Sequence, residues 1–325
     1  QIRDVIRSLF EDLGHDMTTA LLTHPACLKH VTPPGHPEQV ARLERVLAAL
    51  EPMDLVRTAA PLAAEDDLLR IHPQSHLDSL RATLPAAGYA GLDGDTFLSP
   101  GSLDAAYRGA GAAVKAVDMV VSGVVRNAFC AIRPPGHHAE SETPMGFCLL
   151  GNAALAAKHA LDHHGLDRVA VVDFDVHHGN GTQELLYDEG RALLIASQQM
   201  PLWPGSGGID ETGVFDTVVN MPLAPGSGGV AMRRAYEAQA FPRLEAFRPE
   251  LIIISAGFDA HRADPLAGLN WSTDDFRWLT MRLCALADGL CNGRVVSTLE
   301  GGYDLDALAE ACAAHVQVLI DSPMS

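Results

Sequence analysis

The chain has 325 residues, 47% of them hydrophobic, enough to bury a sizeable core as one large α/β domain or two small ones. Its formal net charge is −18, from 41 Asp and Glu against 23 Lys and Arg, and its only lysines are Lys29, Lys115 and Lys158. A chain so acidic repels nucleic-acid phosphates and anionic membranes but welcomes a cationic substrate; solubility alone is the other reading of the charge.

The six cysteines, Cys27, Cys130, Cys148, Cys284, Cys291 and Cys312, form no CxxC pair and sit mostly in apolar surroundings. They read as reduced, buried thiols of a cytoplasmic protein. No apolar run is long enough to span a membrane. Residues 1–16 are amphipathic and charged, without a signal-peptide core, and read as an N-terminal extension or cloning remnant. Met17 is the candidate initiator, and residues 17–325 read as a single domain.

From there helix and strand signals alternate. Thr19 to Leu22 reads as a first strand, followed by a loop rich in Pro, Gly and His. Val40, Leu43, Val46, Leu47 and Leu50 recur at helical spacing, which predicts a helix over 37–50. A long turn-rich segment over 86–102 precedes an Ala-rich helix over 104–121; loops of that length are usually functional. Strands are predicted over 128–132, 168–172, 193–196, 251–254 and 295–299. Helices are predicted over 152–163, 232–247, 273–290 and 304–320, the last with Asp304 as its N-cap. With no internal repeat or linker, the alternation predicts one open, doubly wound, mainly parallel sheet flanked by helices.

Four of these strands run directly into polar loops: Arg133-Pro-Pro-Gly-His-His138, Asp173-Phe-Asp-Val-His-His178, Ser255-Ala-Gly-Phe-Asp259 with Asp264-Pro265, and Glu300-Gly-Gly-Tyr303. In a parallel sheet all four open on one edge, where ligands bind. Asp175 and His177, two apart on extended backbone, share a face. Singly, each loop has an ordinary structural reading. Together the groups complement one another: two carboxylates and an imidazole suit zinc with an open position, a second imidazole can move protons, and a phenol can donate to an oxyanion. That set describes metal-assisted hydrolysis of an unactivated amide.

These motifs, with Gly146-Phe-Cys148, Pro204-Gly205 and His36-Pro-Glu38, occur in the order found in the zinc-dependent histone deacetylase family, which this sequence resembles from about Thr19 to its end. That family shares the arginase/deacetylase fold with the acetylpolyamine amidohydrolases. The resemblance implies zinc on Asp175, His177 and Asp264, with His138 as general base and His137 as its electrostatic or acid partner. It implies that Asp173 orients His137 and Asn180 orients His138; many members carry Asp at the latter position, and Asn suggests the class II side. Tyr303 would polarise the acyl carbonyl. Phe147, Trp203, Gly146 and Gly301 would line an acyl-lysine tunnel with Asp95 at its rim, and Trp271 would narrow its mouth. A structural potassium ion is implied on Asp173, Asp175, His177 and Ser197, although Ala196-Ser-Gln-Gln199 departs from the usual Ser-x-His-Gln.

The expected activity is therefore removal of an acetyl or short acyl group from acyl-lysine in a protein or peptide, with an acetylated polyamine as the alternative substrate. A non-catalytic acyl-lysine-binding protein is the rival from another class. Fe(II) or Co(II) would also suit the donor set. The Ala- and Arg-rich, Lys-poor composition fits a GC-rich bacterial gene, and homo-oligomers remain open.

Overall fold

A computed structural model describes residues 19–322. The readings placed on residues 1–16 and Met17 lie outside them. Eight strands form one sheet in the order β2-β1-β5-β10-β9-β6-β7-β8, and every neighbouring pair is parallel. They are β1 (Thr19–Thr23), β2 (Val56–Ala59), β5 (Asn127–Cys130), β6 (Val169–Asp173), β7 (Ala192–Gln199), β8 (Val218–Leu223), β9 (Leu251–Ala256) and β10 (Val295–Leu299). The central strands are buried along their whole length and mostly apolar, as strands covered on both faces must be. A two-stranded antiparallel piece, β3 (Ala90–Gly91) and β4 (Phe97–Leu98), orders the middle of the turn-rich segment.

The helices are α1 (Val40–Leu50), α2 (Glu65–Leu68), α3 (Gln74–Thr83), α4 (Ser102–Val121), α5 (Asn152–Asp162), α6 (Asn180–Leu186), α7 (Gly229–Ala235), α8 (Phe241–Phe247), α9 (Thr273–Cys291) and α10 (Leu305–Asp321). In α1 the predicted spacing is the buried stripe: Leu43, Val46 and Leu50 enter the core. Asp304 caps α10 as expected, its carboxylate accepting the Ala307 amide at 2.9 Å. Ser272 and Asp275 form a capping box on α9. The predicted helix over 232–247 is broken into α7, a π turn over Tyr236–Ala240, and α8. Pro242, in the first turn of α8, lacks the amide that a continuous helix would need there.

Besides the short β3 and β4, two strands of the eight-stranded sheet escaped the sequence reading, and both are its edges. β2 is only half buried, and β8 carries Pro222, which an edge strand tolerates and a central one does not. The spatial order has a functional consequence. The four strands that feed the polar loops are β5, β10, β9 and β6, and they lie side by side at the centre of the sheet. Chain elements far apart in sequence thereby deliver their loops to one place. No helix among the described residues is long and apolar enough to cross a membrane.

Candidate active site

The β5 loop supplies His137 and His138, whose ring centroids lie 3.9 Å apart. Both are buried, yet their surroundings differ. Asp173, at the end of β6, faces His137 Nδ1 from Oδ2 at 3.0 Å, and Asp175 Oδ2 lies 3.7 Å from its other nitrogen. Burial disfavours the imidazolium, but the Asp175 and Asp173 charges outweigh it and raise His137 well above the usual histidine value. His138 Nδ1 meets a neutral partner, Asn180 Oδ1, at 2.8 Å. The Asn180 amide nitrogen donates to Glu140 at 2.8 Å, so its oxygen is the atom turned to the histidine. His138 Nδ1 therefore donates, which leaves Nε2 free as an acceptor. Burial, then the neighbouring His137 and His177, push His138 well below its usual value and keep it neutral. The pair thus holds one charged and one neutral imidazole side by side.

Asp175 and His177 project from the β6 loop as their spacing required. Asp175 Oδ1 accepts the His177 amide at 2.9 Å and Oδ2 accepts the Gly301 amide at 2.8 Å. His177 Nδ1 faces Asp175 Oδ1 at 3.3 Å and Asp259 Oδ2 at 3.1 Å. Asp175, His177 and Asp259 each offer a ligand atom within 4.8 Å of the others. Asp259 ends the Ser255-Ala-Gly-Phe-Asp259 motif, and the structure brings its carboxylate to His177. Asp264 lies beside this group, its Oδ2 accepting the Tyr303 amide at 2.7 Å and its Oδ1 the Leu266 amide at 3.0 Å. Burial opposes a charge on His177, but hydrogen bonds to Asp175 and Asp259 push it up to about 10. Burial and the Asp175 charge raise Asp259 to about 7. Carboxylates crowded to this degree require positive charge among them, and a divalent cation would supply it in place of the His177 proton.

A cavity of about 360 Å³ opens above these groups. His138, His177 and Tyr303 reach it, and Gly146, Phe147, Leu202, Trp203 and Leu266 form its walls. His36, Pro37, Gly94, Asp95 and Phe97 complete its lining, and Asp95 is exposed. Trp203 stands edge-on to His138 at 4.7 Å and Phe147 edge-on to Tyr303 at 5.8 Å. Gly146 has a positive φ of 54°, and a side chain there would strike the His138 and Trp203 rings. A larger depression of about 510 Å³ along α7, lined by Val230, Arg233, Arg234, Glu237 and Ala238, brings together none of these groups.

Two residues expected in the tunnel lie elsewhere. Trp271 is fully buried, packed on Phe276 at 5.3 Å, and does not line the cavity. Its backbone bridges to His261, which turns the indole into the core instead of toward the mouth. Gly301 lies beneath the wall, where it donates its amide to Asp175; a side chain would collide with the Asp175 and Asp259 carboxylates. Ser197, expected near a potassium ion, sits on β7 beside β6 with its hydroxyl 2.8 Å from Tyr236 Oη.

The reading of the sequence missed what holds the Tyr303 loop. Arg42 of α1 donates to the Gly302 carbonyl at 2.6 Å and to the Glu300 carbonyl at 2.5 Å, and its guanidinium lies 4.9 Å from the Tyr303 ring centre. It pairs with Glu38 at 2.9 Å, which also receives Arg133 Nη2 at 2.6 Å. All three side chains are fully buried. Burial opposes ionisation of Glu38, but Arg133, His30 and Arg42 hold it well below the usual carboxylate range. Glu300 Oε2 accepts the Gly136 and His137 amides at 2.7 and 3.1 Å, joining the β10 and β5 loops. The helical spacing of α1 shows that Arg42 sits beside its apolar stripe; no local signal says what it holds.

The eight-stranded parallel sheet, the histidine pair and the carboxylate–imidazole group agree with a family model for the histone deacetylase domain, which matches residues 36–319. The chain belongs to the histone deacetylase family, whose members are metal-dependent enzymes that hydrolyse amides. It is 40% identical to the histone deacetylase-like amidohydrolase of Pseudomonas aeruginosa, over 88% of this chain and 78% of that protein. It is 37% identical to histone deacetylase 10, chloroplastic, of Oryza sativa subsp. japonica, over 89% of this chain and 70% of that one. The solved HDA15 HD domain has a TM-score of 0.87 at 32% identity, covering 93% of this chain and 91% of its own.

Proposed function

We propose that the chain removes acetyl or short acyl groups from the ε-amine of acyl-lysine in proteins or peptides, with zinc as its catalytic metal. The observation that carries this reading is the charged His137 beside the neutral, Asn180-held His138 at the base of an aromatic-walled cavity that Tyr303 also enters. Asp175, His177 and Asp264 would hold the metal, with the Asp259 carboxylate beside the same His177 nitrogen that faces Asp175. Two carboxylates and an imidazole are a zinc donor set that leaves a position open. When bound there, the metal supplies a Lewis acid for the acyl carbonyl and lowers the pKa of a water. Potassium would take oxygens of Asp173, Asp175, His177 and Ser197; the Ser197 hydroxyl, hydrogen-bonded to Tyr236, keeps a lone pair for an ion whichever of the two donates.

The residues of the chain do the rest. Phe147 and Trp203 flank the aliphatic stem, and Asp95 at the rim accepts from the substrate backbone. Neutral His138 takes the proton of the attacking water through Nε2. The Tyr303 hydroxyl donates to the developing oxyanion, and burial, which raises that phenol well above its usual value, keeps it protonated. The amine leaves with a proton returned by the histidine pair. The walls exclude water from the reacting carbonyl, which strengthens each of these contacts.

Burial of Trp271 removes the feature that would have narrowed the mouth for a slender polyamine, and this favours acyl-lysine. The acylated polyamine remains the second reading, supported by the net charge of −18 and by Asp93 beside Asp95. Six unpaired, buried cysteines support a cytoplasmic protein. The deciding experiment is turnover on zinc-loaded protein, comparing an acetyl-lysine peptide with acetylputrescine and acetylspermidine, with and without chelator. Chelator-sensitive cleavage of the peptide bears the proposal out. Cleavage of the polyamines alone transfers it to the second reading, and no cleavage with metal bound overturns both. Metal content of D264N and D259N identifies the third ligand, since only loss of a true ligand should release zinc.

A further inference from the structure

A second group of metal-competent side chains lies at the opposite edge of the sheet from the acyl cavity. α5 leads from the β5 loop back toward the start of β6, so its C-terminal end reaches the edge where the parallel strands begin. Asp118 lies near the end of α4, His159 in the last turn of α5, His163 caps α5, and His164 follows it. One ligand atom from each of these four lies within 4.8 Å of all the others.

The arrangement is convergent. His159 and His163 are one helical turn apart, and their rings stack at 4.6 Å with an interplanar angle of 11°. The Nε2 atoms of His159 and His164 both point at the same oxygen, Asp118 Oδ1, each at 2.8 Å. His159 is buried, and its other nitrogen, which makes no hydrogen bond, lies 3.5 Å from Asp67 Oδ1, the oxygen that Arg70 also approaches. A carboxylate placed behind an imidazole can take its second N–H once the ring shifts to bind a metal. His163 is exposed, which gives an ion a way in. The free carbonyls at the end of α5 add negative potential. Burial works against ionisation of Asp118, but its bonds to His159 and His164 outweigh that and hold it below the usual carboxylate range, as a ligand requires.

We infer that Asp118, His159, His163 and His164 form a second divalent transition-metal site of the zinc class, which clamps the end of α5 to α4. Three imidazole nitrogens and one carboxylate oxygen make a complete tetrahedral zinc set. Bringing the four atoms to the roughly 3.4 Å spacing of such a tetrahedron needs Asp118 Oδ1 and His159 Nε2 to part by about half an ångström and the exposed His163 and partly exposed His164 rings to rotate. The site touches none of the residues around the acyl cavity, so it acts on stability and not on turnover.

The test is equilibrium dialysis of the full chain against micromolar zinc at neutral pH, with bound metal counted by mass spectrometry. Wild type should hold one zinc per chain more than H163A/H164A. The variant should keep its deacetylase turnover, and the rise of melting temperature on adding zinc should be larger in wild type. Equal zinc counts in the two proteins would overturn the inference. Because only the difference is read, the outcome does not depend on occupancy of the catalytic centre. Wild type alone gives a second reading: zinc should shift the His163 and His164 imidazole resonances in NMR spectra, and unmoved resonances would equally defeat the proposal.

Discussion

Asn180 decides which nitrogen of His138 faces the acyl cavity, and it does so without charge. Its oxygen takes the Nδ1 proton at 2.8 Å, while Asp173 performs the same task for His137 with a full negative charge at 3.0 Å. The two imidazoles consequently differ in charge although their rings nearly touch. Replacing Asn180 with Asp would put a carboxylate on His138 and favour its protonated form. A base works only when neutral, so raising its pKa moves the acid limb of the kcat/KM profile to higher pH. We expect a displacement of about one unit or more, read from a pH–rate profile of N180D. Tyr303→Phe removes one oxyanion donor while leaving the metal-binding groups intact. We expect kcat to fall about a hundredfold or more with zinc content unchanged. Retained turnover in Y303F would remove the phenol from the mechanism.

At the scale of elements, the loops around the cavity depend on buried polar ties between helices and strands. Arg42 on α1 holds the β10 loop through the Gly302 and Glu300 carbonyls, and it is balanced by Glu38. Arg42→Met strips those anchors and leaves Arg133 as the remaining guanidinium on Glu38. A broken buried pair costs about 3 kcal/mol, here at the low end of the usual range because Arg133 stays. Urea unfolding should show that loss, and kcat should fall with little change in KM as Tyr303 loses its position. His315 ties α10 to α9 and β10, bonding Thr280 and Ser297 at 2.8 Å each. Burial lowers it to about 3, while the unfolded value is about 6.5. Between those values the unfolded chain binds the extra proton. The contribution of His315 is therefore complete above about pH 6.5 and is lost as pH falls toward 3, by about 1.4 kcal/mol per unit. Melting curves from pH 7 to 5 should fall more gently for H315N, which can form hydrogen bonds without titrating.

Over the whole molecule, two fields act at a distance. On the proposed function, the net charge of −18 would draw cationic substrates toward a cavity lined in part by Asp95. Attraction of this kind is screened by salt, so KM for an acetyl-lysine peptide flanked by arginines should rise between about 0.05 and 0.5 M NaCl. A peptide with neutral flanks should hardly respond, and equal responses would show that the charge serves solubility alone. The second field is the dense group of buried carboxylates beneath the cavity, which a bound cation would neutralise. A ligand that binds only the folded chain raises its stability by mass action, so chelation should lower the melting temperature along with activity.

The sequence by itself determined what depends on near neighbours along the chain. Strand and helix periods set the alternation of elements, Asp304 announced its helix, and Asp175 and His177 shared a face because they stand two apart. Polar motifs at strand ends placed the chemistry at one edge of the sheet, and their order carried the family. The tertiary structure alone decided what depends on residues brought together from afar. It set β5, β10, β9 and β6 side by side, and it joined Arg42 to Gly302 across 260 positions. It gathered Asp118 with three histidines at the end of the next helix, and turned Trp271 into the core and away from the cavity. The reason is physical: local patterns fix which face of an element is apolar, whereas the direction of a side chain and the partner it meets follow from how whole elements pack.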